Sequence, residues 1–173
     1  PSGVDRDAFS RGRVVRVTGV LAAPYAAQEL RPARASDIEL LGTATVPAPA
    51  DRLGSGLGET VEGTLARVSG VIERTDASSS GSITVTIEDE SGEIRVFLHP
   101  GSGAAKGQLR TGLRLTATGI VGQRESASGA GDGYRIWPRD ARDLVLAAPT
   151  PTPGPGTTPT PTATPRPTAT PRA

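Results

Sequence analysis

The sequence predicts an all-β chain organised around a small closed barrel of five strands. Short β-branched runs between Thr60 and Leu146 alternate apolar and polar residues with a period of two. Two of those runs carry a central glycine, Gly70 and Gly119. A tightly coiled strand needs such a residue where it bends and neighbouring backbones approach closely. No stretch sustains the 3.6-residue spacing of an amphipathic helix.

The elements follow in order. Leu65 to Ile72 reads as the first strand, with Gly70 near its centre. Ile83-Thr84-Val85-Thr86-Ile87 alternates strictly and forms the second. The turn Asp89-Glu90-Ser91-Gly92 leads into the third, Ile94-Arg95-Val96-Phe97-Leu98, so the pair is a hairpin. His99-Pro100-Gly101-Ser102-Gly103 breaks the chain, and residues 104–109 have room for one poor helical turn. Leu113 to Val121 is the fourth strand and Tyr134 to Trp137 the fifth, joined by a Gly/Ser loop from Ser126 to Gly133. Ala141 to Leu146 is a short terminal strand or turn.

Three segments carry a resemblance to a known fold family. They are Val68-Ser69-Gly70-Val71-Ile72, Ile87 through Val96 with its Asp-Glu-Ser-Gly turn, and Gly112 through Gly119. Together they resemble the OB fold, the oligonucleotide/oligosaccharide-binding barrel, as it occurs in tandem in large secreted bacterial proteins, some attached to extracellular nucleases. The resemblance covers Thr60 to Leu146 and implies a five-stranded Greek-key barrel. It implies little about function, since this fold hosts many unrelated tasks.

An internal repeat lies upstream. Gly12 to Val20 matches Gly112 to Ile120 at an offset of 100, and Pro32 to Leu40 matches Pro138 to Leu146 at an offset of 106. The difference falls in a loop, where insertions are tolerated. The expected organisation is therefore a C-terminal half-repeat at 1–42, a linker at 43–59, a complete barrel at 60–146 and a disordered Pro/Thr-rich tail at 147–173. A half-repeat supplies a β-hairpin without a core, so Val15, Val17 and Leu21 have nowhere to bury. The chain is expected to be a piece of a tandem array.

Composition narrows the function. The chain has no Cys, a single histidine at His99, and 19 basic residues against 18 acidic ones in 173 residues. Disulfide frameworks, thiolate metal sites and His-pair zinc motifs are excluded, and most catalytic triads are disfavoured. No apolar run approaches the ~20 residues of a membrane-spanning helix. From residue 147 onward there are nine Pro and nine Thr. Proline fixes φ and removes amide donors, so this segment reads as an extended stalk. With the missing Cys and Met, it points to part of an exported bacterial protein, extracellular or wall-associated.

Enzyme activity, a cofactor and a metal are not expected. The cluster Glu88-Asp89-Glu90 with Glu93 sits on a hairpin tip, where carboxylates are usually solvated rather than set for acid–base work. The Ser/Gly loops lack the lysine and following helix of a phosphate loop. Binding is the remaining class. With Ile94, Val96 and Leu98 facing the core, Arg95, Phe97 and His99 face outward, with Thr84 and Thr86 on the adjoining strand and Arg67 on the first. Arg135, Trp137 and Arg139 form a second group of arginine and aromatic side chains. Aromatics stack bases and arginines neutralise phosphates, so single-stranded nucleic acid is the expected partner, held weakly. The alternatives are a structural spacer contacting other domains of the same polypeptide, and a module for oligosaccharide or cell-wall polymer. Ten basic and eleven acidic residues between Thr60 and Leu146 argue against strong phosphate binding.

Overall fold

The computed structural model describes residues 9–126 and 132–148. From Leu65 onward the strands are β6 (Leu65–Ala77), β7 (Ile83–Asp89), β8 (Gly92–Leu98), β9 (Arg114–Gln123), β10 (Tyr134–Trp137) and β11 (Leu144–Ala147). β6, β7 and β8 form an antiparallel meander. β10 inserts between β8 and β9, parallel to the first and antiparallel to the second. β9 returns to pair with β6 from Leu65↔Ile120 to Val71↔Arg114, which closes the barrel. This is the all-β five-stranded barrel expected from the alternation.

Closure buries one face of every strand. Ile72, Val85, Ile87, Val96, Leu98, Leu115, Val121 and Ile136 are fully enclosed, which is the inward register the alternating runs require. The mid-strand glycines sit where strands nearly touch. A Cβ on Gly70 would lie 2.5 Å from the Glu88 carbonyl oxygen, and one on Gly119 would lie 2.5 Å from that of Trp137. Leu109, following the 3-10 turn Lys106–Gln108, is buried in the same core.

The segment read as a linker at 43–59 is partly built into the barrel. β5 (Ala50–Asp51) pairs with β6 in parallel. Gly54 donates its N–H to Asp89 Oδ2 at 2.8 Å, and Leu57 and Val61 join the core. Packing against the barrel thus begins near Ala50. The Pro/Thr-rich tail from residue 149 lies outside the described residues, as does part of the Gly/Ser loop.

Upstream, β1 (Arg13–Val17), β2 (Val20–Ala22), β3 (Glu29–Arg31) and β4 (Ile38–Thr43) form two small sheets, β1–β4 and β2–β3. Their pairing reproduces the second half of the barrel at the offsets of 100 and 106. Val15 pairs with Leu40 as Leu115 pairs with Leu146, and Val17 with Ile38 as Ala117 with Leu144. Val20 pairs with Arg31 as Ile120 pairs with Trp137. Asp37 accepts from the Ala33 N–H as Asp143 accepts from the Arg139 N–H. A Cβ on Gly19 would meet the Arg31 carbonyl oxygen at 2.4 Å, the counterpart of the Gly119–Trp137 contact. What differs is burial. Val15, Leu21 and Leu30 are exposed, whereas their counterparts Leu115, Val121 and Ile136 are fully buried.

Candidate functional site

The parallel β8–β10 pair decides the site. It sets Arg135 opposite Arg95 and Ile136 opposite Val96. Since Val96 and Ile136 both face the core, Arg95 and Arg135 share the outer face, and so do Phe97 and Trp137 two residues along. The two aromatic-and-arginine groups expected from the sequence are one group. His99 bridges it: its ring meets Phe97 edge-on at 4.9 Å between centroids and Trp137 at 5.8 Å. Both spacings suit T-shaped aromatic packing.

Local sequence explains the shape. Gly122 lies under the indole of Trp137, and a Cβ there would meet ring carbons at 2.7–2.8 Å. A larger residue would lift the ring off the sheet. Thr84 stands across from Phe97 and Thr86 across from Arg95. Thr84 is half-buried, but Thr86 is buried and its hydroxyl has no hydrogen-bond partner among the described residues. The Trp137 Nε1 is likewise buried and without a partner there.

Arg135 is the least ordinary of these side chains. It is only 7% exposed, and its guanidinium donates to two backbone carbonyls, those of Gly133 at 3.1 Å and Arg124 at 3.4 Å. Burial pulls its pKa below the usual arginine value; the charges of Arg95 and Arg124 pull the same way, and Asp132 opposes them. A buried cation beside two others, with partial carboxylate compensation, creates a local positive potential.

Two expected residues stand elsewhere. Arg67 pairs with Asp51 at 3.2 Å beside β5. Arg139 is forked onto Asp143, with Nε at 2.9 Å and a terminal nitrogen at 2.7 Å. Asp143 also accepts from Arg11 of the upstream unit at 2.8 Å, so this ion cluster ties the two units together. Burial acts to raise the Asp143 pKa, but the hydrogen bonds from Arg139 and Arg11 outweigh it and hold the carboxyl below its ordinary range.

The upstream unit also contributes to the face, which the sequence did not show. The 3-10 turn Pro24–Ala26 folds over its edge. The Tyr25 ring lies 4.2 Å from the Arg124 guanidinium in a cation–π contact, and the Tyr25 carbonyl accepts the Glu125 N–H at 2.8 Å. Ala27, at the end of this turn, is buried. Tyr25 and Ala26 both hold positive φ, 54° and 65°, a strained backbone for residues with a Cβ. Between this turn and the barrel lies a cleft of about 350 Å³, lined among others by Tyr25, Arg31, Phe97, Arg124, Arg135 and Trp137. One of only two tyrosines, placed in the repeat's variable loop, was the available signal.

Among the described residues no group of His, Asp or Glu is placed to hold a metal ion, and no helix is long and apolar enough to cross a membrane.

Strand order and closure are those of the OB fold, here with a cationic, aromatic outer face. No family model matches the chain, and no curated protein matches it. Among solved structures, the chain is similar to OBody AM2EP06 bound to hen egg-white lysozyme, with 17% identity and a TM-score of 0.48, covering 62% of this chain and 100% of that one. It is also similar to asparaginyl-tRNA synthetase from Pyrococcus horikoshii, with 16% identity and a TM-score of 0.45, covering 56% of this chain and 22% of the synthetase.

Proposed function

We propose that the barrel is a non-catalytic binding module that holds single-stranded nucleic acid across the β7–β8–β10 face, within a larger exported bacterial protein. The observation that carries this reading is the convergence of Arg95 and Arg135 with Phe97, His99 and Trp137 on one surface. Bases stack on aromatic rings, and guanidinium groups take phosphate oxygens in two-pronged hydrogen bonds. The near-neutral total charge is no obstacle, because the charges are sorted. Glu88, Asp89, Glu90 and Glu93 lie at the far end of the β7–β8 hairpin from Phe97, and Asp140 and Asp143 are occupied by Arg11, Arg139 and Arg142. The Pro/Thr-rich tail supports the exported setting.

Fluorescence polarisation with labelled oligo-dT tests it. Saturable binding should appear in the micromolar range, weaken as salt rises, and fall roughly tenfold in Phe97→Ala, the loss of one stacked base. Absence of binding at ~100 μM, the weak limit of non-specific nucleic-acid affinity, would leave a structural spacer. Salt-insensitive binding of an oligosaccharide that depends on Trp137 would make it a carbohydrate module.

A further inference from the structure

We propose that the cleft under the Tyr25 turn takes the terminal, phosphorylated nucleotide of a single strand, clamped between the upstream unit and the barrel. This rests on the nucleic-acid reading above and goes beyond it, because it makes the upstream unit part of the site and gives the strand a stop.

The argument begins with what covers the face. A strand laid along β8 and β10 runs into the Pro24–Ala27 segment, which is tied down by the Tyr25–Arg124 stack and the hydrogen bond from the Glu125 N–H to the Tyr25 carbonyl. The space left beneath it, about 350 Å³, is at the small end of ligand pockets, room for one nucleotide rather than a run of them.

The chemistry of the lining points the same way. Arg124 and Arg135 both line the cleft. Arg135 is more than nine-tenths buried, donates among the described residues to two backbone carbonyls, and has Arg95 beside it. Arg31, also at the cleft, is shared with Glu29 at 2.9 Å. An internal phosphodiester offers one negative charge to such a group, whereas a terminal phosphate offers nearly two and three acceptor oxygens. Tyr25, Phe97 and Trp137 all line the cleft, so a base that enters it meets aromatic surface. Trp137, which floors the cleft, keeps a buried N–H with no partner among the described residues. The left-handed backbone at Tyr25 and Ala26 is strain of the kind that persists at ligand clamps.

The test is a polarisation titration of the chain with dT oligomers of about ten nucleotides, labelled at one end and carrying either a phosphate or a hydroxyl at the other, in both polarities. A phosphate at one of the two ends should tighten binding roughly tenfold, the effect of a bidentate arginine contact. Tyr25→Ala and Arg124→Gln should each remove that increment, so that phosphate- and hydroxyl-ended oligomers bind either variant alike. Oligomers bound equally with and without either phosphate would overturn the clamp and leave the face reading intact. If no oligomer binds but thymidine monophosphate quenches Trp137 emission, and Tyr25→Ala abolishes the quench, the cleft stands and the extended face fails. If neither ligand registers, both are overturned.

Discussion

Arg95 on β8 and Arg135 on β10 stand directly opposite one another across the one parallel pairing inside the barrel. Like charges in register destabilise a sheet, and burial of Arg135 adds to that cost. Side-chain hydrogen bonds to the Gly133 and Arg124 carbonyls and the nearby Asp132 offset it in part. An arrangement that opposes folding persists most readily where a ligand needs it. Replacing Arg135 by Gln should therefore cost little stability, while lowering oligonucleotide affinity and flattening its salt dependence. Thermal melting and polarisation on the same variant separate the two effects.

Trp137 is the only tryptophan in the chain and lies in the cleft, so its emission reports occupancy directly. Gly122→Ala puts a methyl group where the indole ring lies, 2.7 Å from its carbons. The ring should shift outward, with a red-shifted emission and weaker ligand binding. Gly119→Ala meets the rigid Trp137 backbone instead, at 2.5 Å, and should destabilise the barrel by about 1–3 kcal/mol. Equal melting losses for the two variants would contradict this distinction.

The repeated positions give a paired experiment. Leu115 and Val15 occupy the same register against Leu146 and Leu40, yet the first is fully buried and the second is 37% exposed. Leu115→Ala should cost about 2–5 kcal/mol, and Val15→Ala no more than about 0.5 kcal/mol. Denaturant melts of both variants decide it. A large loss from Val15→Ala would mean that the upstream unit buries its apolar face in solution.

Acid should loosen the junction between the units. Asp143 titrates below its ordinary 3.8, and Asp140 is held well below the same value by the hydrogen bond from Arg142, with burial opposing and Arg11 assisting. Both bind protons more weakly folded than unfolded. Their stabilisation is complete above about pH 5 and is lost as pH falls through the folded pKa values. Asp143→Asn should flatten the pH–stability curve in that acid range, and at neutral pH should cost about 2 kcal/mol from lost charged hydrogen bonds. An unchanged curve would show that the Arg11–Asp143 bridge carries no stability.

Between β4 and the barrel, limited proteolysis should cut within residues 44–49, which lie outside every strand and 3-10 turn, and spare residues 50–61. The latter pair with β6, bond to Asp89 and enter the core. Early cleavage within 50–61 would argue against their attachment.

Much of the fold is local and was legible. Period-two alternation sets which side chains face inward along β7, β8 and β9, and Gly70 and Gly119 mark the close approaches that closure requires. The offsets of 100 and 106 put β1 and β4 at the positions of β9 and β11, and the structure pairs them with corresponding partners, which the offsets alone do not specify. Arg95, Phe97 and His99 were legible as an outward set because one strand's pleat determines it. The pairing of Arg67 with Asp51 and of Arg139 with Asp143 was not legible, because the partners lie on other elements and alternation does not say which charge meets which.

The strands and their inward faces were legible because each depends on spacing within ten or so residues. The parallel setting of β10 against β8, which merges two groups into one face, and the Tyr25 turn over that face's edge come from long-range packing. Those outcomes join residues 40 to about 100 positions apart, Arg95 with Arg135 and Tyr25 with Arg124. Barrel closure and charge pairing select such contacts globally, and no local periodicity encodes them.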